Sequence, residues 1–125
     1  MVLGPRRTHP RFRQEILRQG EKEPTFQQAA VYSATLAYLN AVKAAGTTDS
    51  DKVMDELHKM TINDEFVQNA KIRPDGLLEH DMYIAQVKTP SESKGPWDYY
   101  KIIKTMSGED AFGKLADSKC PLVNK

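Results

Sequence analysis

The sequence predicts an α/β fold on three observations: a long uncharged helical segment, a second helix with a clean apolar seam, and a change afterwards to extended patterns broken by a proline–glycine turn. From Thr25 to Val42 the chain runs 18 residues without a charge. That is the length of a membrane span, but Gln27, Gln28, Ser33, Thr35 and Asn40 interrupt its apolarity, so a buried helix fits better. Ala30, Ala34, Ala37, Ala41 and Ala45 recur at spacings of three or four, a stripe of small side chains that lets a neighbour approach closely. Tyr32, Leu36 and Leu39 form a bulkier stripe beside it. Two apolar stripes predict a helix covered on more than one side, as between a sheet and other helices. Gly46 supplies the left-handed stop. Thr48 or Asp49 then caps a second helix, with Asp51 in its first turn, His58 and Lys59 in its last, and Val53, Leu57 and Met60 as its seam.

The elements that follow are extended. Thr61 to Phe66 reads as a connection with a short helical turn through Val67, and Lys71-Ile72-Arg73 as a short strand. Pro74-Asp75-Gly76 is a turn, because proline presets its backbone angle and glycine accepts positive φ; a hairpin is expected there. Met82 to Lys88 alternates, with Tyr83, Ala85 and Val87 on one face and Met82, Ile84 and Gln86 on the other, which marks the best strand in the chain. Thr89-Pro90 ends it, Ser91 to Asp98 is a polar loop, and Tyr99 to Lys104 resumes as a strand. A weak helix is expected around Ala111 to Leu115, before Cys120-Pro121. No internal repeat is present.

Composition narrows the function classes. A chain of 125 residues suits one small domain, burying roughly two thirds of its unfolded surface. With 18 basic and 17 acidic residues and a net charge of +1, nothing directs it to nucleic acid or to an acidic membrane. Arg6, Arg7, Arg11, Arg13 and Arg18 do crowd the start, but without interleaved aromatics beyond Phe12, so residues 1–23 read as a basic, flexible leader. No apolar stretch of signal-peptide type follows Met1, and the Arg6-Arg7 pair has no such stretch after it. Taken literally, the chain would be cytoplasmic if expressed alone. Its single cysteine, Cys120, allows no internal disulfide.

Catalytic and metal chemistry find little support. Asp75, Glu79, His80 and Asp81 are metal-ligand types, but consecutive strand residues point to opposite faces. His58 at a helix end reads as a solvated residue complementing the helix dipole rather than a base. No serine or cysteine nucleophile has a local signature, and no glycine-rich phosphate loop follows a strand. The sequence predicts no enzyme, no cofactor and no metal. Trp97, Tyr99 and Tyr100 are candidate aromatic contacts for a ligand, the alternative being that they cover a sheet edge.

A set of short motifs carries a resemblance. They are Pro24-Thr25, Tyr32-Ser33-Ala34, Ala41-Val42-Lys43-Ala44-Ala45-Gly46-Thr47-Thr48-Asp49, Ile72-Arg73-Pro74-Asp75-Gly76, His80-Asp81-Met82-Tyr83, Val87-Lys88-Thr89-Pro90-Ser91-Glu92-Ser93-Lys94, Trp97-Asp98-Tyr99-Tyr100-Lys101 and Cys120-Pro121-Leu122-Val123. Each is weak alone, but their order and spacing make the set specific. From Pro24 to Val123 the chain resembles the C-terminal portion of the leucine/isoleucine/valine-type periplasmic substrate-binding proteins of ABC importers. The resemblance implies a partial type I periplasmic-binding-protein-like fold: helices of the first lobe over 24–70, a hinge crossing and second-lobe strands over 71–105, and a tail over 106–125. It places Pro74, Asp75 and Gly76 near a hinge, since lobe closure is absorbed by a few residues at element ends. It implies a small-molecule solute, a membrane permease as partner and a periplasmic location for the complete protein, with no direct membrane insertion. Ligand contacts lie in other parts of such proteins, so no ligand-binding residue of this chain is assigned. Cys120 could pair with a cysteine in a missing segment. The resemblance further implies a truncated piece that folds poorly in isolation. The alternative is a non-transport remnant, or a regulatory or sensor module of the same fold.

Overall fold

The computed structural model describes residues 14–15, 18–20, 25–64, 66–121 and 123. Most of the basic leader therefore lies outside the described residues, as do Pro24 and Leu122 of the motifs. Within the leader, residues 14–15 and 18–20 are helical, and Arg18 pairs with Glu15 at 2.6 Å.

Helix α1 (Phe26–Ala45) begins at a capping box. The Thr25 hydroxyl accepts from the Gln28 N–H, and the Gln28 side chain accepts from the Thr25 N–H at 2.8 Å, so two donors that a helix start leaves unsatisfied are paired. Gly46, at φ 65°, ends the helix and donates to the Val42 carbonyl. Helix α2 (Ser50–Lys59) is capped by Asp49, which accepts from the Lys52 N–H at 3.2 Å. Its buried residues are Val53 and Leu57, with Met60 half-buried at its end.

The buried face of α1 differs from the expected stripe. It consists of Ala29, Ser33, Ala37 and Ala41, whereas Ala30 is half-buried and Ala34 exposed. A strict four-residue row is one of the ridges along which helices pack, and its small side chains admit α2. Tyr32 and Leu39 are exposed and Leu36 is half-buried, so among the described residues α1 is covered on one side rather than on several. Its neighbours are α2 and the segment that follows. Together they form the core: Ala37 and Ala41 from α1, Val53 and Leu57 from α2, then Ile62, Val67 and Ala70.

The described residues 61–64 and 66–67 do not form the expected helical turn. Ile62 pairs with Ala70 through two backbone hydrogen bonds of 2.7 and 3.0 Å, and the loop between them closes around Asp64. One Asp64 oxygen accepts from the Phe66 and Val67 N–H groups, and the other accepts from the Ser33 hydroxyl on α1. Side-chain acceptance of these donors replaces the helical bonds the segment would otherwise make.

The expected hairpin is present: β1 (Lys71–Ile72) pairs antiparallel with β2 (Leu78–Glu79). Strands β3 (Met82–Val87) and β4 (Tyr100–Met106) form a second antiparallel pair, Met82 opposite Met106 and Val87 opposite Tyr100. The register shifts between Ile84 and Ala85, leaving Ile103 as the extra residue of a bulge. Tyr83 and Ala85 are half-buried, as the alternation requires, but Val87 at the strand end is exposed. The helix expected around Ala111 to Leu115 is instead two short pieces, α3 (Gly108–Ala111), capped by Ser107, and a 3-10 turn over Leu115–Asp117. Phe112 is already extended, so the helix stops at Ala111. Among the described residues, no helix is long and apolar enough to cross a membrane.

Candidate hinge region and aromatic surface

Pro74, Asp75 and Gly76 form the tip of the β1–β2 hairpin. The Gly76 N–H closes the turn on the Arg73 carbonyl at 2.8 Å, with Gly76 at φ 81°, a conformation that favours glycine. The residue that organises the tip is Arg73, to which the sequence alone assigns no role at the turn. Its Nε and Nη2 meet the two Asp75 carboxylate oxygens at 3.1 and 2.5 Å in a bidentate pair. Its Nη1 donates to the Gly113 carbonyl, 40 residues further on, at 2.6 Å and lies 3.5 Å from Glu79. The Arg73 guanidinium, helped by the Leu77 N–H and the Ser118 side chain, holds the Asp75 carboxyl down to about 2 against the opposing effect of desolvation. Asp75 in turn raises the Arg73 pKa. The hairpin tip is thereby tied to the C-terminal segment.

A second tie lies beside the first. A Cβ on Gly108 would stand 2.7 Å from Glu79 Cγ and 3.0 Å from the His80 nitrogen, so α3 packs on the end of β2 at a distance that only glycine permits. His80 Nδ1 donates to the Asp81 carbonyl, and its ring meets Phe112 edge-on at 5.3 Å. His58, at the end of α2, donates from Nδ1 to the Ile72 carbonyl at 3.1 Å, which joins α2 to β1. The four residues weighed as metal ligands diverge: Asp75 and Glu79 face Arg73, His80 turns to a carbonyl, and Asp81 accepts from Asn69.

The loop between β3 and β4 is ordered by an ion pair. Lys88 Nζ meets Asp98 Oδ1 at 2.6 Å, both side chains largely covered, and Asp98 also accepts from the Lys94 N–H. Glu92 accepts from the Thr89 N–H and hydroxyl, which lower its pKa in that order. Trp97, at φ 67°, meets Tyr99 at 6.0 Å, and Tyr99 meets Tyr100 at 6.4 Å, both edge to face. All three rings are exposed. Only Tyr99 lines the shallow concavity formed with Val87, Lys88, Thr89, Pro90, Ser93 and Asp98, so the three aromatics do not converge on one cavity. Cys120 is a half-buried free thiol whose N–H donates to Ser118.

A family model described as periplasmic binding protein matches residues 6–96. The chain belongs to the periplasmic binding protein family. The match reaches back into the arginine-rich start, upstream of Pro24 where the motifs begin. Two solved structures extend it. A periplasmic binding protein of Burkholderia mallei is 45% identical, with a TM-score of 0.87 over 98% of this chain. A branched-chain amino acid ABC transporter periplasmic ligand-binding protein of Burkholderia xenovorans is 36% identical, with a TM-score of 0.86 over the same share. The chain spans 32% and 33% of the length of these two proteins. Its fold is therefore part of a type I periplasmic binding fold. No curated protein matches the chain significantly.

Proposed function

We propose that the chain serves as part of the solute-binding component of an ABC importer for amino acids or similar small carboxylates. The observation that carries this reading is the match, over 98% of the chain, to a structure named as a branched-chain amino acid transporter's ligand-binding protein. In that setting the solute is bound by the complete protein in the periplasm and passed to a membrane permease. Pro74, Asp75 and Gly76 lie near the hinge crossing rather than flexing themselves. Arg73 keeps the turn and residues 113–118 moving as one piece, so bending falls at the ends of the hairpin rather than within its tip. The exposed rings of Trp97, Tyr99 and Tyr100 are contact residues in the complete protein, and Cys120 is available to a cysteine elsewhere in it.

The test is uptake. A hybrid in which this chain replaces the corresponding third of the Burkholderia xenovorans protein should restore labelled branched-chain amino acid import to cells lacking that binding protein. A hybrid that is exported and folded but supports no import overturns the reading.

A further inference from the structure

The chain divides mechanically at one place. Among the described residues, those that form the hydrophobic core or pack against it all lie between Ala37 and Leu78. Strands β3 and β4 lie outside that core and pair with each other, from Met82 opposite Met106 to Val87 opposite Tyr100. The chain enters this ribbon between Asp81 and Met82 and leaves it between Met106 and Ser107, the cap of α3, so the two links run side by side. Adjacent links allow a swing about the line that joins them and resist other motions. Element ends of this kind are where hinge motion is absorbed.

How sharply the swing is localised depends on what holds the residues before β3. His80 is held from one side by α3, through Gly108 and Phe112. Asp81 is held by Asn69, whose Nδ2 donates to Asp81 Oδ2 at 3.1 Å across 12 residues. An ionised carboxylate only accepts, so the amide of Asn69 turns its donor side to it. Asn69 stands at φ 54°, a left-handed conformation in which asparagine is enriched. Its own N–H is fixed by Asn63 Oδ1 at 2.8 Å, and the next residue, Ala70, is fully buried and bonded to Ile62. The side chain thus reaches Asp81 from a base anchored in the core.

We propose that Asn69 is a positioning residue for lobe closure: by holding Asp81 to the helical body, it confines bending to the Asp81–Met82 and Met106–Ser107 links. This role rests on the reading of the chain as part of a solute-binding protein that closes by hinge motion. Without the bond, residues 80–81 add their own freedom to the open form. Closure on a solute takes that freedom away again, which weakens binding.

The experiment uses the hybrid that carries this chain within the Burkholderia xenovorans protein, with spin labels introduced at Lys52 on α2 and Gln86 on β3, both exposed. The distribution of distances between the labels is read by pulsed electron paramagnetic resonance without solute. Asn69→Gly keeps the left-handed backbone and deletes the side chain; it should broaden the distribution, and weaken branched-chain amino acid binding about three- to tenfold. Asn69→Asp combined with Asp81→Asn exchanges donor and acceptor across the same bond and should restore both. Ser33→Ala, which removes a bond inside the helical body, should leave the width as it was. An unchanged width in Asn69→Gly overturns the inference, as does equal broadening by Ser33→Ala or an exchanged pair as broad as Asn69→Gly. Because the width is read without solute, a folded hybrid that binds no amino acid counts against the transport reading alone.

Discussion

The Ser33 hydroxyl donates to Asp64 at 2.5 Å, joining the middle of α1 to the loop after α2 across 31 residues of sequence. Ser33 is the one polar member of the four-residue row that α1 buries, and this bond satisfies it. Removing either partner has different consequences. Ser33→Ala deletes one hydrogen bond and should cost about 1 kcal/mol, whereas Asp64→Ala also strands the Phe66 and Val67 N–H groups and should cost about 2–3 kcal/mol. A double-mutant cycle by urea denaturation of the hybrid that carries this chain should give a coupling close to the Ser33→Ala cost; additive losses would mean that the bond contributes nothing.

Gly108 tests the packing of α3. Gly108→Ala places a methyl group against Glu79 and the His80 backbone. The Glu79 side chain can turn aside but the backbone cannot, so a loss of about 1–3 kcal/mol is expected. Thermal denaturation of the hybrid carrying the variant checks it, and an unchanged midpoint would contradict the close approach.

Gly46 offers a simpler case. It stops α1 at φ 65° with no side-chain obstruction nearby, so Gly46→Ala should lose about 1 kcal/mol from backbone conformation alone. Gly46→Asn should lose less, because asparagine tolerates the left-handed region better. Equal losses for the two would point to packing rather than to backbone geometry.

The Arg73–Asp75 pair sets a pH dependence. Asp75 titrates lower in the folded chain, at about 2, than its ordinary value of 3.8. A depressed carboxyl contributes stability that is fully present above its unfolded pKa and is lost as pH falls through its folded pKa. The tie between the hairpin tip and residues 113–118 should therefore hold at pH 5 and weaken between about pH 4 and 2. Asp75→Asn should remove this component of the acid response, read as the Gly113 and Ser118 amide shifts by NMR. An identical acid profile in the variant would assign the response to other carboxylates.

The helices were legible in the sequence because their signals are local. Gly46, Asp49 and the Val53, Leu57 seam act within a few residues of themselves, and the structure places each where its chemistry predicts. The Pro74-Asp75-Gly76 hairpin was legible for the same reason. What escaped depends on partners distant in sequence. Nothing near Arg73 announces the Gly113 carbonyl, and nothing near Gly108 announces His80. The buried row on α1 was misread at its first half because alanines at 29 and 30, and a serine at 33 beside an alanine at 34, suit either face. The inward position of Ser33 is matched by its bond to Asp64, a partner distant in sequence. The family was legible through the order of its motifs, while the solute was not, since no ligand contact could be assigned to these residues.

The most direct measurement is a pair of calorimetric titrations with leucine, isoleucine and valine, one on the 125-residue chain and one on the hybrid carrying it within the Burkholderia xenovorans protein. The chain alone should give no heat of binding, and the hybrid should bind at least one of the three saturably and one-to-one. Saturable binding by the chain alone, or none by a folded hybrid, would contradict it.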